Sequence, residues 1–227
     1  IHVFPDGVLS TSCAAGCLDV TTDAAGNVAV SGPGGGWLAY RVFPRPGSTM
    51  ASTYVDTREV NVVAPRSLGD AVLATAVSMS TLNLVPAAFG FTRTPGSGMV
   101  MGTVRDCDGD AVRGALVRVF GSDGREHVHS IVVNDAPHIQ YFDGNENPDG
   151  SQTFSSVDGL YAALNLPTDA VTGRDTFRVE AWGVLSDGAP PVLIGCETIA
   201  SEGDAIGLVS IGPLRGDYAL GHPCAGR

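Results

Sequence analysis

The sequence predicts an all-β protein made of two tandem β-sandwich domains with a short helical connector. Thirty Gly and fourteen Pro in 227 residues indicate many turns. The apolar runs are rich in β-branched residues and show little helical periodicity. The second half also repeats patterns of the first half in the same order, as a duplicated unit does; for example, EVNVVA (residues 59–64) resembles GLVSIG (residues 207–212). The predicted divisions are residues 1–78, a connector at 79–97, and residues 98–227.

The first module begins with the apolar segment IHVF at residues 1–4, which is predicted to be a strand. Residues 18–30 are typical of a hairpin, with its turn at residues 23–27. Alternating apolar residues at 37–43 and 59–64 predict two further strands.

Two segments of different character join the modules, one at the end of the first module and one in the connector. Residues 71–78 (AVLATAVS) combine helix-forming Ala and Leu with strand-forming Val and Thr, and both structures stay open. Residues 80–90 predict a short helix, capped by Asn83, with Pro86 in its first turn and Gly90 at its end.

The second module is predicted to contain eight strands separated by turn residues. They are residues 100–105, 115–120, 138–142, 151–155, 160–164, 176–183, 192–199 and 206–211.

The two modules differ at their first strand. In the second module, residues 100–105 precede VRVF (residues 117–120), whereas no such strand precedes the matching IHVF. The pattern therefore predicts an open assembly edge at Ile1, His2, Val3 and Phe4. Residues 71–78 could fold back to cover it, or a neighbouring copy could donate a strand and so build an open filament.

The second module resembles a known family. GTVRDCDGDAVRGALVRVF (residues 102–120) resembles the opening of carboxypeptidase regulatory-like modules, although Ala111 stands where the family pattern has Pro. Residues 155–167 resemble the T-D-x-x-G-x-[FY] turn of the same modules. The resemblance covers residues 98–211 and implies a transthyretin-like or Ig-like β-sandwich. It also implies a bacterial secreted or surface protein in which such modules act as spacers, adhesive arms or binding domains.

The charge excludes some classes of partner. A net charge of -11 argues against binding to nucleic acid or to anionic membranes. No apolar run approaches the ~20 residues of a membrane span.

The cysteines indicate disulfides and an exported protein. Their spacing does not match a zinc ribbon or finger. Cys13 and Cys17 can close a small loop, while Cys107, Cys196 and Cys224 compete for a second bridge and leave one thiol over. Disulfides are typical of extracellular proteins, and an Ile start without a signal peptide indicates a processed chain.

Two oxygen-rich loops are candidate Ca²⁺ sites. The first contains Asp106, Asp108 and Asp110, but Val117 stands where an EF-hand loop has its bidentate Glu. The second loop contains Asp143, Asn145, Asn147 and Asp149. Both loops are also compatible with ordinary polar turns, and Ca²⁺ is the only cofactor that the sequence indicates.

No catalytic motif stands out, and a Gly-x-Ser-x-Gly elbow is absent. The predicted function is a non-enzymatic extracellular or cell-surface structural subunit that self-associates, with strand complementation as its route to a filament. One alternative is a Ca²⁺-stabilised adhesin module that binds glycans or proteins. Another is an accessory domain of a secreted hydrolase.

Overall fold

A computed structural model describes residues 1–5, 7, 9, 13, 16–30, 37–63, 72–106, 109–127, 138–184 and 188–212. The predictions made for Cys107, Asp108 and Cys224 lie outside these residues.

Most of the predicted strands are present. The first half contains β1 (His2–Phe4), β2 (Leu18–Asp19), β3 (Trp37–Val42) and β4 (Thr57–Val63), with a short 3₁₀ helix at Thr49–Ser52. The connector contains α1 (Met79–Ala88). The second half contains β5 (Gly98–Thr103), β6 (Leu116–Phe120), β7 (Glu126–His127), β8 (His138–Phe142), β9 (Pro148–Asp149), β10 (Leu160–Leu166), β11 (Arg174–Gly183), β12 (Val192–Glu202) and β13 (Ile206–Val209).

Two of the predicted strand regions differ in the structure. Residues 151–155 form a turn, because the Asp149 carboxylate accepts hydrogen bonds from the backbone N–H and the hydroxyl of Ser151. In the predicted hairpin at 18–30 the turn is present, closed by Asp23 N–H donating to the Asn27 carbonyl at 2.9 Å. Only Leu18–Asp19 of its arms forms a strand.

The strands form two sheets. The larger sheet has nine strands in the order β2-β1-β3-β4-β13-β5-β10-β8-β9, and the smaller sheet has four in the order β12-β11-β6-β7. β13 lies between β4 and β5 and is parallel to both. The large sheet therefore runs continuously through strands of both predicted modules, and the division into tandem sandwiches stays a prediction.

The predicted open edge at Ile1, His2, Val3 and Phe4 is wrong, because β1 is paired on both sides. It pairs antiparallel with β3, where Val3 faces Tyr40. It also pairs antiparallel with β2, where His2 faces Asp19. The chain covers this edge with the segment just after Cys17 rather than with residues 71–78.

The segment that leads into the connector lies against the sheet as irregular structure. Residues 72–77 form neither a strand nor a helix. The Tyr40 hydroxyl accepts a hydrogen bond from Thr75 N–H at 3.0 Å, and the Thr57 hydroxyl accepts one from Val77 N–H at 3.0 Å. These contacts fix the segment to β3 and β4.

Helix α1 begins one residue before the predicted 80–90, and its cap lies five residues before the predicted Asn83. Its cap is Ser78, whose hydroxyl accepts the Thr81 N–H, whereas the Asn83 side chain accepts a hydrogen bond from Arg93. Pro86 lies in the last turn rather than the first. In the described part of the chain, no helix is long and apolar enough to cross a membrane.

The packed layers place the core on both faces of the large sheet. One cluster fills the space between the two sheets and includes Val100, Val117, Tyr141, Tyr161, Phe177 and Val179. A second cluster packs α1 on the opposite face and includes Leu82, Phe89, Phe91, Met99, Phe142 and Leu164. Sheet, sheet and helix therefore form three layers.

Gly102 allows the last described strand to approach β5 closely. A Cβ atom built on Gly102 would lie 1.7 Å from the Val209 carbonyl oxygen, which is part of β13. The clash is with backbone, so no side-chain rotation relieves it. A Cβ on Gly212, by contrast, would meet nothing within 4 Å.

We expect Gly102→Ala to lower the free energy of unfolding by at least about 2 kcal/mol, because β13 must move away from β5. Gly212→Ala is the matched control and should change stability by less than about 0.5 kcal/mol. Urea unfolding followed by circular dichroism measures both. Equal stability of the two variants would contradict the close approach of β13 to β5.

Candidate functional site

A cluster of charged side chains lies where the two sheets meet, and we call it the Arg58 junction. It contains Arg41, Asp56, Arg58, Arg174 and Glu202. Arg58 is 1% exposed, and its guanidinium lies 2.7 Å from Glu202 Oε1 and 3.1 Å from Asp56 Oδ2. It also donates to the Ala200 carbonyl at 3.3 Å. The junction therefore connects β4 of the first half with β12 of the second.

Two further arginines complete the junction from opposite sides. Arg41 on β3 contacts Asp56 at 2.7 Å, and Arg174 at the start of β11 contacts Glu202 at 2.8 Å. Three guanidinium groups therefore face two carboxylates. A buried charge is stable only when it is paired, so the buried Arg58 depends on the positions of the carboxylates, whereas the Arg174 side chain is 48% exposed.

The junction sets the ionisation of Glu202. Burial alone would raise the pKa of this carboxyl, but the close contact of Arg58 and the charges of Arg41 and Arg174 together hold its pKa below the ordinary value. The ionised form is thus the one that the folded chain favours.

A second polar pair, Tyr40 and Glu59, lies on the same sheet. The pKa of its carboxyl is shifted in the opposite direction to that of Glu202. Burial raises the pKa of Glu59, although the hydroxyl of Tyr40 donates a hydrogen bond to its carboxylate. Burial also raises the pKa of Tyr40 above its ordinary value. Because the Tyr40 hydroxyl also binds Thr75 N–H, the pair fixes the segment that leads into the connector rather than facing solvent.

An open cleft of about 470 Å³ borders the junction. Its wall is formed by the β10–β11 loop and the β12–β13 turn. The polar residues at this wall include Thr168, Asp169, Arg174, Glu202 and Asp204.

In the described part of the two predicted Ca²⁺ loops, the carboxylates of Asp106, Asp143 and Asp149 accept hydrogen bonds from their own turns. Asp106 accepts the N–H of Asp110 at 2.9 Å. Asp143 accepts the N–H groups of Asn145 and Asn147 at 2.8 and 2.9 Å. Hydrogen bonds from the Asn147 backbone, followed by those from Asn145, lower the pKa of Asp143.

These contacts show what a cation would have to displace. The side chain of Asn147 donates its amide to Asp143, so it presents a donor rather than its oxygen toward that carboxylate. Asp149 is engaged with Ser151. Calcium binding at either loop stays a prediction.

The cysteines lie at two places in the fold. Cys13 and Cys17 form a disulfide with their Cα atoms 5.1 Å apart, which is the pair that the spacing predicts. Cys196 on β12 is also disulfide-bonded. Its partner lies outside the described residues, as do Cys107 and Cys224.

The first cysteine pair lies beside a histidine that the sequence did not connect with it. One ligand atom each of His2, Cys13 and Cys17 lies within 4.8 Å of the others, and this is the one such group of three among the described residues. His2 comes from β1, and Cys17 directly precedes β2. The pairing of β1 with β2 therefore assembles the group.

Sequence reasoning also missed the Arg58 junction, although a signal for it was present. In the segment DTREV (residues 56–60), Asp56, Arg58 and Val60 occupy every second position. Side chains two residues apart in a strand point to the same face, so these three side chains share one face at β4. Val60 is buried in the core. Charged residues that share the face of a core residue indicate a buried ion pair.

No protein-family model matches the chain, and no curated protein matches it. Among solved structures, phospholipase PlaB from Legionella pneumophila is 16% identical, covering 54% of this chain and 26% of its own, with a TM-score of 0.28. The shaft pilin SpaA from Lactobacillus rhamnosus GG is 13% identical, covering 88% of this chain and 70% of its own, with a TM-score of 0.30. A variant of that pilin gives 13% identity and a TM-score of 0.31. The chain spans about a quarter of the phospholipase chain. TM-scores this low support no argument about its function.

We expect Arg58→Met to lower the free energy of unfolding by about 3–5 kcal/mol, because Asp56 and Glu202 lose their shared buried partner. Arg125→Met is the matched control, since the Arg125 side chain is 86% exposed beside Asp123. It should cost less than about 1 kcal/mol. Chemical denaturation of both variants measures the difference, and a cost for Arg58→Met as small as the control would show that the junction is not stabilising.

The lowered pKa of Glu202 predicts the sign of a pH dependence. A lowered folded-state pKa contributes stability above the unfolded value of about 4.3, and this is lost as pH falls through the folded pKa. The stability difference between wild type and Glu202→Gln should therefore be largest near neutral pH and shrink in acid. The raised pKa of Glu59 costs stability where this carboxyl is ionised, so the wild type should gain stability relative to Glu59→Gln as pH falls. Denaturation midpoints measured between neutral and acid pH test both, and parallel profiles would contradict the assignment.

Non-reducing peptide mapping should find two disulfides and one free thiol per chain. Because all basic residues are Arg, trypsin leaves Cys13 and Cys17 in one peptide and puts Cys107, Cys196 and Cys224 in three separate peptides. Mass spectrometry should show an internal bridge in the first peptide. It should also link the Cys196 peptide to one of the other two. Five free thiols in protein purified without reductant would contradict this prediction.

Proposed function

We propose that this chain is a non-enzymatic extracellular or cell-surface structural subunit. The Arg58 junction is the observation that carries the proposal. It places the most deeply buried charge of the described residues at the contact between the two halves, where it fixes strands in position.

The energetic reason lies in the cost of separating the partners. Moving either half would leave Arg58, Asp56 or Glu202 buried without its counter-charge, which costs several kcal/mol. The continuous sheet through β4, β13 and β5 opposes the same movement with backbone hydrogen bonds. A rigid unit of this kind suits a structural role.

The disulfides support an extracellular location for this subunit. Cys13 and Cys17 are bridged, and Cys196 is bridged as well. Disulfides persist in oxidising compartments and are rare in the cytosol.

Self-association of this subunit must use a surface other than β1. The described ends of the large sheet are β2 and β9, each with two residues, and β9 contains Pro148. Short edges and edge prolines oppose strand addition. We therefore place the subunit contact away from the ends of the large sheet. Among the described residues the longest edge strand is β12, which has eleven residues and lies at the end of the smaller sheet.

A binding module is the second candidate function, and the open cleft beside Arg174 and Glu202 favours it. Its opposite charges and its loop walls would suit a polar ligand such as a glycan or a peptide. If Ca²⁺ stabilises this module, millimolar CaCl₂ should raise the melting temperature relative to EDTA.

The two functions differ in how mass depends on concentration. The full chain, kept oxidised, is measured by multi-angle light scattering from micromolar to near-millimolar concentration and viewed by negative-stain electron microscopy. A structural subunit should gain mass with concentration and form regular assemblies. Arg125→Met, an exposed change, serves as the control for non-specific charge effects. A monomer at every concentration, together with a glycan-array signal lost in Arg174→Ala, would replace the structural proposal with the binding module.

A further inference from the structure

The disulfide at Cys13 and Cys17 lies against an imidazole that has an unused nitrogen. His2 Nδ1 is buried and has no hydrogen-bond partner in the structure. Its other nitrogen, Nε2, lies 3.6 Å from Asp19 Oδ1. Buried polar atoms are nearly always hydrogen-bonded, so an exception requires an explanation.

The backbone register explains why these groups converge. His2 faces Asp19 across the β1–β2 pair. Cys17 lies two positions before Asp19 and therefore on the same face, diagonal to His2. Cys13 is brought in by the short loop, and one ligand atom of each of the three residues lies within 4.8 Å of the others.

We propose that reduction of the Cys13–Cys17 disulfide converts His2, Cys13 and Cys17 into a binding site for a thiophilic divalent cation such as Zn²⁺. Two thiolates and one imidazole are a ligand set that zinc accepts, and a Cys-x₃-Cys spacing falls within the range that zinc sites use. The fourth coordination position is open to water or to the Asp19 carboxylate. The disulfide and the metal ion are alternative occupants of the same sulfur atoms.

The chemistry of the exchange balances with a dithiol as reductant. The dithiol supplies two electrons and two protons, leaves as its own disulfide, and the chain then carries two thiols. Metal binding releases both thiol protons to solvent, because the thiolate is the ligand. The net charge of -11 favours the arrival of a cation.

The position of the site gives the metal a structural consequence. Cys17 is half-buried against the core between the sheets, and Leu18 directly after it pairs with Val3. A metal ion bound to His2 and to both cysteines would join β1 to the segment that enters β2, as the disulfide alone does not. This inference is independent of the proposed function.

The test uses the full chain, reduced by a phosphine under anaerobic conditions and titrated with Co²⁺ as a spectroscopic probe. We expect one Co²⁺ per chain, with thiolate-to-cobalt charge-transfer absorption that Zn²⁺ then abolishes by displacement. The oxidised chain should show no such absorption. The double variant Cys13→Ser/Cys17→Ser keeps the other three cysteines and should lose the signal, which assigns it to this pair.

The histidine is tested by a matched pair of substitutions. His2→Gln should weaken Co²⁺ binding by more than about tenfold, whereas His127→Gln, a histidine on β7, should leave it unchanged. Circular dichroism of each reduced variant shows whether the sheets remain. A reduced wild-type chain that takes up no Co²⁺, folded or not, would overturn the proposal. So would a signal that survives in the double serine variant, or His2→Gln binding as tightly as wild type.

Discussion

The insertion of β13 between β4 and β5 is the constraint on which the rest of this structure depends. It pairs in parallel with both strands, and it is what makes one sheet out of the two halves of the chain. Side-chain and backbone contacts fix it at both ends: Ile206 N–H donates to the Asp56 carbonyl at 3.0 Å, and the Asn61 side chain donates to the Ser210 carbonyl at 3.1 Å. The Arg58 junction lies at the first of these ends, so the buried charges and the parallel pairing reinforce each other.

The sequence predicted the strands well and their pairing poorly, for a physical reason. Strand formation is read from alternation within a few residues, and His138–Phe142 was predicted with its observed bounds. Pairing depends on contacts between distant segments. EVNVVA and GLVSIG were interpreted as equivalent strands of two repeated modules, yet they lie side by side in one sheet, where Val60 faces Val209. Similar apolar patterns suit neighbours in a buried parallel sheet as well as they suit copies of a repeat.

In the candidate site, too, local features could be predicted from the sequence and contacts between distant segments could not. The cysteine pair was predictable, because Cys13 and Cys17 are only four residues apart in the sequence and a short loop brings them within reach of each other. The polar loops were recognisable as turns, but the donor that each carboxylate uses depends on backbone N–H directions, as at Asp143. His2 could not be assigned to the cysteines, since that contact exists only in the register that places His2 opposite Asp19.

The same register links the edge of the sheet to the cysteines. β2 pairs with β1 through two residues. This short pairing must cover the row of backbone donors and acceptors along the outer side of β1. The loop that the disulfide closes is short, so its effect on the unfolded chain is worth only about 2 kcal/mol. Its position gives it more influence than that figure indicates, because Cys17 leads directly into Leu18. Among the described residues, the bond restricts the segment that pairs with the outer side of β1, so the state of the two sulfur atoms influences how firmly this edge of the sheet is closed.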